Sequence, residues 1–164
     1  MSRPILNVLA LISAIVLAGC RQSDGEMPLR TAEVEQRLED LGRDIDNVAG
    51  GNPDGPVELT DDLVVFTEDP DAISAVRALS NVVCPLLVKR SLDADTRSRL
   101  ATLLWTTVAA RELSERQIDR LKDDMRDLLM SIGVAHADAN LAAGWVDNVQ
   151  KAVTLRSRRW YERY

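Results

Sequence analysis

The chain contains one histidine, His136, in 164 residues. A metal site built from several imidazoles of one chain is therefore excluded. Cysteine is almost as scarce, with Cys20 and Cys84 alone, so no disulfide framework can be assembled. Past residue 20 no run is long and apolar enough to span a bilayer. No Gly-x-Ser-x-Gly pattern offers a nucleophile, and no Gly-rich loop follows a strand pattern to cradle a phosphate. Acidic residues outnumber basic ones by 26 to 20, for a net charge of −6. An acidic chain lacks the basic face on which nucleic-acid binding depends.

What the chain does have begins at its start. Arg3 precedes an apolar stretch from Ile5, which ends in Leu17-Ala18-Gly19-Cys20. A short basic start, an apolar core and small residues before a cleavage point make a secretory signal. The alternative is a membrane span. However, the uncharged run from Pro4 to Cys20 sits at the lower length limit and includes Pro4, Asn7 and Ser13. The four residues Leu17 to Cys20 resemble the lipobox of bacterial lipoproteins. That resemblance implies cleavage before Cys20, a diacylglycerol on its thiol and an acyl group on its new amine. Residues 1–19 would then be a signal peptide, leaving 145 residues, enough for one domain. The covalent lipid on Cys20 would be the anchor, facing the periplasm, and no other cofactor is expected. In enterobacterial lipoproteins an Asp after the Cys favours inner-membrane retention. Arg21 stands there in this chain, which points to the outer membrane. With Cys20 acylated, Cys84 has no partner within the chain, despite an oxidising compartment.

Charge is unevenly spread. Residues 21–71 hold 4 basic and 15 acidic residues, net −11; residues 72–149 hold 10 of each; residues 150–164 hold 5 basic and 1 acidic, net +4. Residues 20–30 are polar, contain Gly25 and Pro28, and read as a flexible tether.

A helical pattern opens at Thr31, a potential cap, and runs over 31–49 as an acidic amphipathic helix. Val34, Leu38, Leu41, Ile45 and Val48 fall at steps of 4, 3, 4 and 3, which draws one narrow apolar seam. Two readings of the seam stand: packing on the rest of the domain, or a self-association or partner stripe. Gly50 to Pro56 breaks the chain. Residues 57–164 then form the main helical domain. Leu59 to Phe66 reads as an extended or single-turn plug. Asp69-Pro70 starts the next helix, which Pro85 should kink or end near Cys84. Ser91 or Asp93 caps another. Ser114-Glu115-Arg116-Gln117 forms a capping box and Gly133 a stop. Asp138 caps the last helix. The expectation is an all-α bundle of about five helices.

Candidate chemistry is thin. Asp119, Asp123 and Asp127 recur every four residues, but Arg116, Arg120, Lys122 and Arg126 interleave with them, as on a solvated helix face. No metal site is expected, and no catalytic residue is assigned. Cys84 sits among Val82, Val83, Leu86 and Leu87 and reads as a small buried apolar residue; an intermolecular disulfide is the alternative. The end of the chain carries Arg156, Arg158, Arg159, Trp160, Tyr161 and Tyr164, denser in Arg and aromatics than the rest. Such residues suit interfaces with proteins and lipid headgroups, or simply a cationic helix end.

Leu113-Ser114-Glu115, Ile118-Asp119, Asp124, Leu128, Ile132-Gly133-Val134 and Ala137 to Asn140 resemble the last two helices of truncated globins. The resemblance covers about 30 residues. The haem-ligating His of that family precedes these helices, and no His lies upstream here. A globin-like fold would therefore not carry haem in the usual way. By size and class alone, a small helical lipoprotein resembles the pilotins of secretion systems. The sequence thus points to a non-catalytic, lipid-anchored envelope module. It would bind the membrane through its lipid and an envelope protein through the seam or the tail. A small-ligand carrier and an envelope enzyme are the competing readings. The sequence sets no oligomeric state.

Overall fold

The computed structural model describes residues 27–51, 59–67 and 70–161, with side chains through Thr154. Six helices follow in order: α1 (Ala32–Ala49), α2 (Thr60–Val64), α3 (Pro70–Leu87), α4 (Ala94–Ala109), α5 (Glu115–Ser131) and α6 (His136–Tyr161). Among the described residues there is no strand, and no helix is long and apolar enough to cross a membrane. The all-α bundle is as expected. The added helix is α2, a single turn whose Leu59 and Leu63 are fully buried.

Local chemistry explains most boundaries. Thr31 Oγ1 accepts from the Val34 N–H at 3.2 Å and opens α1. Asp93 Oδ1 accepts from the Thr96 N–H at 2.7 Å and opens α4. These bonds to Thr96 hold the Asp93 carboxyl below its ordinary range. Ser114 and Gln117 close a reciprocal capping box at the start of α5. Gly133, at φ +86°, ends α5. The Val134 N–H reaches Leu129 O, and the Gly133 N–H reaches Met130 O. That pair of bonds is the Schellman arrangement, which uses the left-handed conformation that glycine adopts freely.

Two boundaries differ from the sequence expectation. Pro85 does not end α3, which runs on to Leu87. The proline sits in the last turn, where only the bond from its own missing N–H is lost. The apolar spacing of Val83 and Leu87, both fully buried, carries the helix past it. Asp138 does not cap α6. The Ala139 N–H already bonds Ala135 O, so the helix starts at His136 and Asp138 lies in its first turn. A carboxylate there still complements the helix dipole. Asp69, the expected cap of α3, lies outside the described residues.

The core draws on every helix. Leu41, Ile45, Leu79, Val83, Leu100, Leu104, Met125, Leu129, Val146 and Val149 are among its fully buried members. α6 packs against α3, α5 and α4, and α4 packs against α1, α2, α5 and α6. Phe66 meets Trp105 edge to face, with ring centroids 6.4 Å apart, and so fixes the segment after α2 on α4.

Candidate functional site

The direction of each helix decides which residues share an end of the bundle. The Lys89 N–H, just past α3, bonds Ala49 O at the end of α1. Arg97, in the first turns of α4, pairs with Asp46 in the last turn of α1. Arg90 Nη1, past α3, donates to Gly133 O ahead of α6 at 2.8 Å. One end of the bundle therefore gathers the C-termini of α1, α3 and α5 and the N-termini of α4 and α6. The opposite end gathers the start of α1, the end of α4 and the late part of α6. Gln150 Nε2 confirms this last pairing, donating to Thr107 O at 2.6 Å and to Ala110 O at 3.3 Å.

The chain thus enters α1 and runs out through α6 at the same end. α6 is 26 residues long, against 18 for α3 and 17 for α5. Both neighbours run antiparallel to it. At 1.5 Å per residue, α6 is about 12 Å longer than α3. Its excess falls after Val153, the last buried residue described on it. Residues 155–161 continue the helical backbone. Of the expected contact residues, Arg156, Arg158, Arg159, Trp160 and Tyr161 sit on that backbone, and their side chains lie outside the described set. Tyr164 and the lipidation candidate Cys20 lie outside the described residues altogether.

The seam of α1 is occupied within the chain. Leu41 and Ile45 are fully buried, Leu38 and Val48 nearly so, and Val34 packs against the same core. Of its two readings, packing on the domain is the one observed. The seam is not an exposed stripe left for a partner, because α4 and α3 already cover it.

A groove of about 440 Å³ lies between α1 and α4. Its walls include Arg30, Glu35, Arg43, Asp46, Arg97 and Ser98. Its cations are paired within the chain: Arg30 with Glu35 at 2.7 Å, Arg43 with Asp40 at 2.8 Å, and Arg97 with Asp46. A ligand entering here would have to displace these ion pairs. Asp62 of α2 meets Asp44 of α1. Burial first, then the hydrogen bond that the protonated carboxyl donates to Asp44 and the charges of Asp44, Asp40 and Asp61, push Asp62 up to about 7. Among the described residues no cluster of three or more His, Cys, Asp or Glu could hold a metal ion.

His136 is exposed in the first turn of α6, 3.1 Å from Asn140 Nδ2. Arg126 joins Asn140 to Asp123 on the same surface. Asp119 is exposed and pairs with Lys122 at 3.4 Å. Apart from the Arg126–Asn140 bond, which joins α5 to α6, these are pairs along helix faces, open to water, as the interleaved charges suggested. Cys84 is half-buried, with its Sγ 3.6 Å from Ser80 Oγ.

At the end away from the termini, large apolar side chains face water. Val88 is 42% exposed, Met130 41% and, slightly further along α6, Leu141 56%. The Arg90–Gly133 bond draws the turns that carry Val88 and Met130 together. Sequence spacing missed these residues because each lies beside core positions of its helix. Gln150 was missed too. Its signal was a polar residue in register with Val146 and Val153.

A scan against protein-family models, a search of curated proteins and a search of solved structures each return no match.

Proposed function

We propose that this protein is a lipid-anchored component of the bacterial cell envelope, held through Cys20, that works as a non-catalytic binding or assembly module. The observation that carries the reading is the N-terminal run ending in Leu17-Ala18-Gly19-Cys20. Several acyl chains, at about 0.8 kcal/mol per buried methylene, make such an anchor stable. The geometry supports the rest. The described chain enters the bundle at one end, while Val88, Met130 and Leu141 are exposed at or near the other. A tether at one end leaves those apolar groups facing away from the membrane, where a protein partner can reach them. Exposed apolar groups that lie close together are a feature of contact surfaces; Met27 and Leu29, just before α1, are exposed as well. The groove between α1 and α4 is lined by internal ion pairs, which suits a structural role better than ligand carriage.

Two measurements test this. Metabolic labelling with a fatty-acid analogue should mark the wild-type chain and leave Cys20→Ala unlabelled; label on neither removes the anchor. A photocrosslinker placed at Leu141 in intact cells should trap one envelope protein reproducibly, and one placed at Glu33 should not. Equal or absent adducts at both positions would remove the partner-binding reading.

A further inference from the structure

The tail and the tether leave the bundle on the same side, and that constrains what the tail can touch. We infer that the last two turns of α6, residues 156–161, form a contact site for an anionic lipid surface. This rests on the lipid-anchor reading for its geometry and goes beyond it by assigning the tail's occupant.

The first support is polarity. α1 begins at the end of the bundle where α4 ends and where Gln150 of α6 lies. α6 continues as helix from there to Tyr161, past the length of both antiparallel neighbours. The second is chain length. Eleven residues separate Cys20 from Ala32. A chain of that length reaches at most about 35 Å, fully stretched. An anchored Cys20 therefore keeps this end of the bundle within a short distance of the bilayer. The two extra turns of α6 fill part of that gap.

The third support is charge and chemistry. Residues 150–164 carry net +4 in a chain whose total is −6. The acids in the first turn of α1, at the same end, are matched by arginines: Glu33 by Arg37 and Glu35 by Arg30. The starts of α3 and α5, at the same end, add Asp71 and Glu115, so the tail is the net-cationic stretch on an otherwise mixed rim. Arg156, Arg159 and Trp160 stand at i, i+3 and i+4 on the helical backbone, positions that share one face of a helix. Arginine forms paired hydrogen bonds with phosphate, and tryptophan favours the headgroup boundary. Tethering also raises the local concentration of the tail at the surface, so a weak site is populated.

The test separates the tail from the anchor. The chain from residue 20 onward with Cys20→Ser keeps every described helix and lacks the lipid. It should cosediment with vesicles of phosphatidylglycerol and phosphatidylcholine, weakly with phosphatidylcholine alone, and lose binding as salt rises. Replacing Arg156, Arg158 and Arg159 together with Gln should weaken vesicle binding by on the order of a hundredfold. The same three positions as Lys should keep most of it. All three lie beyond Val153, so thermal unfolding should be unchanged in both variants. Equal partition to both vesicle types, or binding indifferent to the Gln variant, overturns the proposal. So does a tail that crosslinks in cells to a protein and fails to bind phosphatidylglycerol vesicles. An acyl mass missing from wild-type Cys20, with vesicle binding intact, would instead remove the anchor and leave the tail site standing.

Discussion

Gln150 of α6 donates its side-chain amide to the carbonyl of Thr107 at 2.6 Å, fully buried at the end of α4. The last carbonyls of a helix have no partner within it, and a buried one left bare costs about 1–3 kcal/mol. Gln150 meets one of them and Arg111 another, donating to Val108 O at 2.7 Å. Gln150 is thus the latch between the end of α4 and the point where α6 leaves the core. Gln150→Ala should lower unfolding stability by about 2–3 kcal/mol in urea titration. Gln150→Glu should be worse at neutral pH, where it has no proton to donate, and should recover as pH falls and the carboxyl protonates. A Glu variant with no pH dependence beyond the wild type would contradict the latch.

Two glycines should respond with opposite sign. Gly144 lies exposed inside α6, and a Cβ there meets nothing within 4 Å. Gly144→Ala should raise stability by about 0.5–1 kcal/mol through helix propensity. Gly133 combines φ +86° with a Cβ that would fall 3.1 Å from Arg90 Nη1. Gly133→Ala should destabilise by at least about 1 kcal/mol, from backbone strain and from disturbing the Arg90 bond. Thermal unfolding of the two variants, measured side by side, checks both directions.

Much of the fold could be read from spacing, because its signals are local. Thr31, Asp93 and the Ser114–Gln117 box mark helix starts through bonds spanning three residues. The single turn at Leu59 to Val64 was readable from its short apolar centre. Pro85 does not stop α3 at Cys84, because its effect depends on how many bonds remain after it, and α3 has only two residues left. The start of α6 was misplaced because a carboxylate in a first turn looks like a cap. The shared end of the termini was not readable at all. It follows from which helices pair, through Arg97–Asp46, Arg90–Gly133 and Gln150–Thr107, and those partners are 40 or more residues apart. Whether an apolar seam is core or contact depends on the same long-range pairing.

Asp62 makes stability depend on pH with an unusual sign. Its carboxyl is pushed up to about 7 in the folded chain, from an ordinary value of 3.8. Between those values the folded state holds the proton and the unfolded state has released it. Stability from this group is therefore present at low pH and lost as pH rises from about 4 to about 7, then level above. After solvent screening the loss is of order 1 kcal/mol, or about 3 °C in Tm. Asp62→Asn should remove this slope and raise Tm at pH 8, with little effect at pH 4. An unchanged pH profile in that variant would show that Asp62 ionises freely.

The seam of α1 offers the sharpest test of whether helix stripes in this chain serve stability or association. Leu41 and Ile45 are fully buried against the chain's own core, and α1 packs mainly on α4. Truncating either to Ala removes buried methylene groups and leaves a cavity, so each should cost about 2–5 kcal/mol. The loss should not depend on protein concentration, because the contacts lie within one chain. Leu141→Ala, on the exposed far side of α6, should leave stability within about 0.5 kcal/mol. If the seam served a second copy instead, Leu41→Ala would shift the monomer–oligomer equilibrium in analytical ultracentrifugation. It would also make the unfolding midpoint vary with concentration. The packing of Leu41 and Ile45 against α3 and α4 requires a monomer-intrinsic loss, and a concentration-dependent one would contradict it.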